Sequence, residues 1–567
     1  MTGQRATSGG TMRVWVTAGL MLLAAVTLVA RAVNLQVMEA EFLQSQGEAR
    51  YLREMAIPTV RGSILDRNGE PLAVSTPVES VWAHPGELLQ AADRISMLAS
   101  LLEADAEDLE RRLTQRADRE FVWLRRQINP GLAERIRELE IPGVFLQREY
   151  RRFYPTGEVT AQLLGFTNID DIGQEGLELA YNDWLRGEPG TKRVIKDRLG
   201  RVVQNVELVR EAKPGRDLKL TIDRRLQYLA FRDLKATVME YGARSGSVVV
   251  LDVDTGEILA MVNYPSYNPN SSARMASEGL RNRALTDVLE PGSVMKPFAV
   301  AAALEAGIAS PDMIVDTSPG TLTVSGHTIR DVRNFGELTV EGLLTKSSNV
   351  GVVDLVLSMD ARHLWSIYSR FGFGSVSGTG FPGESAGVLR DYERWRKLEQ
   401  ATLAYGYGLS VTPLQLARAM AAIADEGRLR QPTFIAGSDN PPHSVLDPEL
   451  ARQLAVMLET VTGPEGSGRA AGVEGYRVAG KTGTSRKAAA GGYGDRYIAS
   501  FAGFAPVSDP ALVAVAVIND PGGERYYGGQ VAAPLFASVM EAGLRLFNVP
   551  PDDPGLLMAR VEEEAHD

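Results

Sequence analysis

A chain of 567 residues is too long for one ordinary domain, and 44% apolar with 23% charged residues is a globular composition, neither disordered nor fibrous. A formal net charge of −11 argues against nucleic acid as a partner, because neutralising phosphates takes clustered Lys and Arg. The lack of cysteine excludes disulfides, thiolate metal sites, a cysteine nucleophile and a lipidated N-terminal cysteine together.

The first element in chain order is apolar. Val14 to Ala30 carries no charge between Arg13 and Arg31. As a helix this stretch is about 26 Å long, and "AVNLQV" beyond Arg31 extends it toward the roughly 30 Å hydrocarbon core of a bilayer. A cleaved signal peptide fits less well, since its apolar core is shorter and arginine stands where cleavage would fall. The pattern predicts a transmembrane anchor over 14–35 behind a cytoplasmic tail, 1–13. Arg5 and Arg13, with no acidic residue before the segment, hold the N-terminus in the cytoplasm and leave the rest outside. No second span is predicted.

Residues 36–220 read as a region without catalytic constellation. "EAEFLQSQGEARYLREM" predicts a polar, helical stalk. "PTVRGSILDRNGEPLAVSTP" predicts a hairpin around "DRNGE", and "AADRISMLASLLEADAEDLERRL" has helical periodicity. A mixed Arg- and Gly-rich segment and a strand pair around "TKRVIKDRLGRVV" follow. From 221 to 549 a second unit begins on a long amphipathic helix, with Thr221 or Asp223 as its N-cap. The strands "SVVVLDV" and "EILAMVN" join at Asp254-Thr255-Gly256, and "YRVAGKTGT", "YIASFAGFA" and "ALVAVAVIND" predict three more strands near the end. Helices such as "PFAVAAALEAG" and "TPLQLARAMAAIADEG" lie between. Strands at both ends with helices between predict an α/β (α+β) multidomain chain whose first and last strands share a sheet. The acidic tail 550–567 reads as loose.

Three motifs in the second unit carry chemistry: Ser293-Val294-Met295-Lys296, Ser347-Ser348-Asn349 and Lys481-Thr482-Gly483. Alone each is weak, and Ser266-Tyr267-Asn268 repeats the second by chance in a proline-flanked loop. Ser293 follows the turn Glu290-Pro291-Gly292 and opens an apolar helix, with Pro297 tolerated in the first turn. Residues three apart share a helix face, so Lys296 can reach the Ser293 hydroxyl. A free lysine, with a pKa of about 10.4, is a poor base at neutral pH. Burial and a second cation, Lys481, would lower it. On its strand, Lys481 with the hydroxyls of Thr482 and Thr484 can grip a carboxylate, while Gly480 and Gly483 let a ligand backbone approach. Read alone, Ser293 would be an ordinary helix cap.

S-x-x-K, S-x-N and K-T-G in this order are the signature of penicillin-binding proteins and class A β-lactamases. With "RGSILDRNGEPLAVSTP", "RRFYP", "TIDRRLQ", "DVDTGEILAM", "EPGSVMKPF", "KSSNVG", "YGYGLSVTPLQLA" and "GKTGTSRK", the chain resembles the class B penicillin-binding proteins over roughly residues 50–550, and within them the division-specific branch. The resemblance implies a pedestal or dimerisation-type interaction domain and a β-lactamase-like transpeptidase domain with an antiparallel sheet. It also implies a single-pass inner-membrane protein with its catalytic domain in the periplasm. It makes Ser293 the acylated nucleophile and Lys296 its base. Ser347 then passes a proton to the leaving D-alanine, and Asn349 holds the donor amide. Lys481, Thr482, Gly483 and Thr484 form the carboxylate side, the N–H groups of Ser293 and Thr484 the oxyanion hole, and Tyr407 and Tyr527 line the cleft. It implies no metal and no organic cofactor. The partners it implies are peptidoglycan stem peptides, β-lactams, a membrane glycan polymerase of the FtsW type and other divisome proteins. A β-lactamase remains the nearest alternative, although Glu384 in "GFPGESAGVL" lacks the E-x-x-L-N pattern of a deacylating base. An elongation-specific enzyme and a silent β-lactam sensor or scaffold are the others.

Overall fold

The first helix, α1 (Gly9–Val33), runs straight through the charge-free stretch and ends in one wider turn, Asn34–Met38. The computed structural model describes residues 9–39, 52–196, 202–271, 277–489 and 491–553. The stalk expected from Glu39 onward lies for the most part outside these residues, as do the turn at 197–201 and the tail beyond 553. Met12–Met38 contains an 18-residue stretch with a mean hydropathy of 2.0, and its 27 residues make about 40 Å of helix. That length fits a single-pass membrane anchor with some tilt. Arg31 meets Glu39 at 3.8 Å, so the charge interrupting the apolar run has a partner at the helix end.

The chain folds into two compact units that interleave in sequence. One holds Met1–Val60, Val78–Glu149 and Gly187–Pro214; the other holds Arg61–Pro77, Tyr150–Arg186 and Gly215–Asp567. In the first, Leu52–Ile57, Gly190–Lys196 and Val202–Arg210 form an antiparallel three-stranded sheet. Helices Ala92–Leu101, Ala106–Thr114 and Pro130–Glu138 bury Leu98, Leu113 and Ile136 against Val81 and Ile128 of neighbouring strands. The single helical pattern expected over 91–113 is two helices, because Glu103 turns to φ 51° and Asp105 starts a new helix as its N-cap.

The interleaving departs from a linear boundary at residue 220, and its cause is a buried charge cluster. Glu178 receives Arg61 Nε at 2.7 Å and Arg152 Nε at 2.6 Å, with all three side chains essentially inaccessible. Leu72, Tyr154, Leu163 and Leu177 lie in the same apolar core as Leu251 and Val300. Segments 61–77 and 150–186 are therefore part of the larger unit's interior.

That unit is built on helix α2 (Arg224–Glu240) and five antiparallel strands: β1 (Ser245–Asp252), β2 (Ile258–Tyr264), β3 (Ala479–Ala489), β4 (Gly492–Ala505) and β5 (Leu512–Asn519). Asp223 caps α2, accepting from the N–H of Arg225 and Leu226, while the Thr221 hydroxyl donates to the Ile258 carbonyl. The sheet order is β2-β1-β5-β4-β3, so the first and last segments pair through Val249 and Val515, and β3 is an edge. Val248, Val250, Ala514 and Ala516 face one apolar layer, which includes Val531 and Phe536 of helix α6 (Gly528–Leu546). Val249, Leu251, Val513 and Val515 face the other. Both faces are covered, so these strands read as unbroken apolar runs without the alternation of a half-exposed sheet. The terminal helix α6 was not among the elements expected from sequence. On the second face lie α3 (Lys296–Glu305), α4 (Asn349–Leu357) and α5 (Pro413–Ala424). Thr412 and Gln415 form a capping box at the start of α5.

Candidate active site

Ser293 sits in a tight turn of 3-10 helix, Gly292–Met295, and α3 proper begins at Lys296 with Pro297 in its first turn. The nucleophile turn is held against the edge strand: Ser485 Oγ donates to the Glu290 carbonyl at 2.6 Å. A Cβ on Gly483 would lie 2.7 Å from Val294 Cγ2 and 2.8 Å from the Pro291 carbonyl oxygen. A Cβ on Gly480 would meet the Phe501 ring at 2.6 Å. The two glycines therefore admit the protein's own turn and core. Room for the protein's own atoms is thus a reason for these glycines beside the expected approach of a ligand backbone.

Ser347 occupies an unusual backbone position. Helix Val340–Thr345 ends there with Ser348 N donating to Leu343 O at 2.9 Å and Ser347 N to Leu344 O at 3.2 Å. This is a Schellman ending, and Ser347 holds its left-handed position at φ 59°, where glycine is usual. Ser348 then caps α4 through Gly351 N at 3.0 Å, and Asn349 is its first residue. Asp331, which no sequence motif singles out, locks this junction. Its carboxylate accepts from Ser348 Oγ at 2.6 Å and from the N–H groups of Asn349 and Val350. Asn349 Nδ2 donates to the Arg330 carbonyl at 2.8 Å, which fixes the amide plane.

Both motif lysines are fully buried, and both converge on Ser347. Lys296 Nζ donates to Ser347 Oγ at 3.1 Å and also to the Ser347 carbonyl; Lys481 Nζ donates to the same Oγ at 3.1 Å. The hydrogen bonds of Lys296 thus go to Ser347, and Ser293 faces the cleft. Burial, and then the charge of Lys481, drive the Lys296 pKa well below that of a free lysine, against an upward pull from Asp331. Burial alone brings Lys481 down to about 7. Two ammonium groups cannot share one hydroxyl in a dry site, so one amine is neutral near pH 7 and available as a base.

Thr482 Oγ1 takes a bond from Lys481 at 3.2 Å and lies 3.0 Å from Ser467 Oγ. Thr484 Oγ1 accepts from Gly528 N at 2.9 Å, which leaves its own O–H free to donate. The Tyr407 hydroxyl accepts from Arg486 N at 2.9 Å, and its ring packs edge-on to Tyr493 at 5.1 Å. Tyr527 lies further along, stacked on Tyr526 at 4.6 Å. Ser293, Asn349 and Thr484 line two adjoining cavities of about 740 and 540 Å³. Glu384 is committed elsewhere: its carboxylate accepts from the N–H groups of Ser377, Gly378 and Thr379 and from the Thr379 hydroxyl. It pins a loop, and nothing here makes it a deacylating base.

A buried lysine pair sharing one serine hydroxyl, beside a second serine at a turn and an edge strand rich in hydroxyls, is the apparatus of a serine acyltransferase. The penicillin binding protein transpeptidase domain model matches residues 246–541, and the penicillin-binding protein dimerisation domain model matches 56–220. The chain is similar to the peptidoglycan D,D-transpeptidase FtsI of Escherichia coli K12, with 44% identity over 94% of this chain and 92% of that one. It is likewise similar to the probable peptidoglycan D,D-transpeptidase PbpC of Pseudomonas aeruginosa, with 43% identity over 94% of this chain and 95% of that one. Among solved structures, a peptidoglycan synthetase from Bifidobacterium adolescentis superposes with a TM-score of 0.70 at 27% identity, over 89% of this chain and 98% of that one. The transpeptidase domain of penicillin-binding protein 3 from Burkholderia pseudomallei superposes with a TM-score of 0.54 at 42% identity, over 59% of this chain and 97% of that one. The chain belongs to the penicillin-binding protein transpeptidase family, in its class B branch with a dimerisation domain ahead of the catalytic one.

Proposed function

We propose that this chain is a septal peptidoglycan D,D-transpeptidase that works through an acyl-enzyme on Ser293. The observation carrying the reading is the Ser347 hydroxyl, 3.1 Å from each of two buried lysines, in the cleft that Ser293 lines. Neutral Lys296 accepts the Ser293 proton as Oγ attacks the carbonyl of the penultimate D-alanine of a stem peptide. The N–H groups of Ser293 and Thr484 stabilise the oxyanion. Ser347 delivers a proton to the departing D-alanine nitrogen, and Lys481, Thr482 and Thr484 hold its carboxylate. Asn349 holds an amide of the donor, which lies beside the edge strand β3 as an added strand. An amine on a neighbouring stem peptide then takes the acyl group, and β-lactams acylate the same serine.

The division of labour along the chain follows: a cytoplasmic tail 1–13, an anchor 14–35, a pedestal formed by 36–220 apart from segments 61–77 and 150–186, a transpeptidase 221–549 that takes in those two segments, and an acidic tail 550–567. The N-terminus lies in the cytoplasm and the catalytic domain in the periplasm, where a glycan polymerase of the FtsW type and other divisome proteins are its partners. The septal role rests on the similarity to relatives named FtsI. Mass spectrometry after penicillin treatment tests the chemistry, with one adduct expected on the peptide carrying Ser293 and none in Ser293→Ala. An adduct on another residue would end the assignment. Depletion should give filaments of normal width; swollen cells would point to elongation instead.

A further inference from the structure

Behind the nucleophile turn lies a further cavity, of about 130 Å³, that shares no lining residue with the two at Ser293. The sheet contributes Ser245 and Ser247 of β1 and Lys487 of β3, and the opposite wall is the segment 287–289 that runs into the turn. We infer that this cavity is a site for a small aliphatic monocarboxylate, and that the bound anion steadies the turn carrying Ser293. The site stands apart from the transpeptidase reading; its effect on Ser293 rests on that reading.

Three donors line the cavity with capacity to spare. Ser247 is only 3% exposed, and its hydroxyl has no hydrogen-bond partner among the described residues. Ser245 Oγ accepts from Asn519 Nδ2 at 2.9 Å, which leaves its own O–H to donate. Lys487 Nζ donates to Asn519 Oδ1 at 2.7 Å, which engages one of its three N–H groups and supplies no opposite charge. No carboxylate stands within ion-pair distance of Lys487 among the described residues. Burial lowers the pKa of this amine against an upward pull from Asp520, and an anion beside it would offset the loss of water. Arg283 also lines the cavity and pairs with Asp287 at 2.9 Å, while Asp287 is shared with Arg281 at 3.2 Å. The lining therefore sets two cations, Arg283 and Lys487, against one carboxylate, and a single negative charge completes it. Leu289, Pro413 and Val517 add an apolar floor, which favours a short alkyl chain over an inorganic ion.

The position of the cavity links it to the nucleophile. Ser485 holds the Glu290 carbonyl at 2.6 Å, and Leu289 N donates to the Val411 carbonyl at 2.9 Å. Lys487 follows Ser485 by two positions, where the pairing of β3 with β4 shifts register between Arg486 and Ala488. At such an irregularity the ladder is locally disrupted and holds the strand less firmly. An anion taken by Lys487 together with Ser245 and Ser247 would tie this end of β3 to β1, and so keep Ser485 where it grips the turn.

The test uses the full-length protein in detergent at fixed ionic strength, with butyrate as the probe and butyramide as its uncharged isostere. Saturation-transfer NMR should show butyrate binding in the millimolar range and butyramide at least tenfold more weakly. Lys487→Met should weaken butyrate at least tenfold, and Ser247→Ala, a smaller change to the fold, at least threefold. Protein already acylated by penicillin, with its cleft filled, should bind butyrate as before. Saturating butyrate should speed penicillin acylation of the wild type at least twofold and leave that of Lys487→Met unchanged. Equal binding of butyramide, or unchanged butyrate affinity in both variants, would overturn the site. So would loss of butyrate on acylation, which would put the carboxylate in the cleft. An acylation rate indifferent to butyrate, in protein that binds it, would overturn the effect on the turn. If penicillin forms no adduct at all, the transpeptidase reading falls, while butyrate binding through Lys487 still decides the site.

Discussion

At the scale of single residues, the chemistry depends on keeping an amine neutral. Lys481 has a pKa of about 7 in the fold against 10.5 in the unfolded chain, so between these values the unfolded chain holds more protons. Stability therefore rises with pH across that window, and Lys481→Met should flatten the rise, measured as the urea midpoint at pH 7.5 and 9.5. Lys296 must likewise be neutral to take the Ser293 proton, so penicillin acylation should fall as pH drops through its lowered pKa. Lys296→Arg, which cannot release its proton, should be acylated at least 10²-fold more slowly than wild type, read by stopped-flow with a chromogenic β-lactam. A second trade-off sits on Ser347, whose φ of 59° suits glycine. Ser347→Gly and Ser347→Ala lose the same hydroxyl and should be equally impaired, yet the glycine variant should be more stable by about 1 kcal/mol. Equal melting temperatures would mean that the left-handed ending carries no strain.

At the scale of elements, the site is an assembly of helix ends and one strand edge. The nucleophile turn leads into α3, Ser348 and Asn349 start α4, and the hydroxyl-bearing residues stand on β3. Gly483→Ala would drive a Cβ into Ser500, Val294 and Pro291 together, and would separate the turn from the strand. Since a misplacement of about 1 Å can cost 10²-fold, acylation should fall by about that much, with a smaller loss of melting temperature. The motif residues were legible in sequence because each motif spans only a few positions with spacing set by local geometry. Asp331 was not, since a lone acid 17 residues before Ser348 gives no local signal of the cap it supplies. Gly483 was legible as a motif member but not in its role, because the atoms it makes room for come from a turn nearly 190 positions away. The missed α6 carries Pro534 in its interior, which breaks the usual sequence pattern of a helix.

At the scale of the whole molecule, the sequence boundary and the packing boundary differ, and the difference decides how the protein can be taken apart. Arg61 and Glu178 are separated by 117 positions, so no window of sequence could join them. Removing one member of such a buried ion cluster leaves uncompensated charge, and Glu178→Ala should cost about 3–5 kcal/mol of stability to the catalytic unit. Deleting everything between Arg61 and Gly215 to probe recruitment would therefore strip the catalytic unit of its own interior, and penicillin binding should be lost with it. A narrower excision avoids this. Thr76 Oγ1 donates to the Arg151 carbonyl at 3.1 Å, so the chain leaves the catalytic unit after Pro77 and returns at Tyr150 from adjacent positions. Replacing Val78–Glu149 by a short Gly-Ser linker should preserve the Glu178 cluster and the Ser293 adduct with penicillin. If the excised part serves partners and the cleft serves chemistry, this variant should acylate within about threefold of wild type yet fail to gather at midcell, whereas Ser293→Ala should gather there and build no septum. Loss of acylation on removing Val78–Glu149, in a protein that still melts cooperatively, would show that catalysis and recruitment share the same part of the fold.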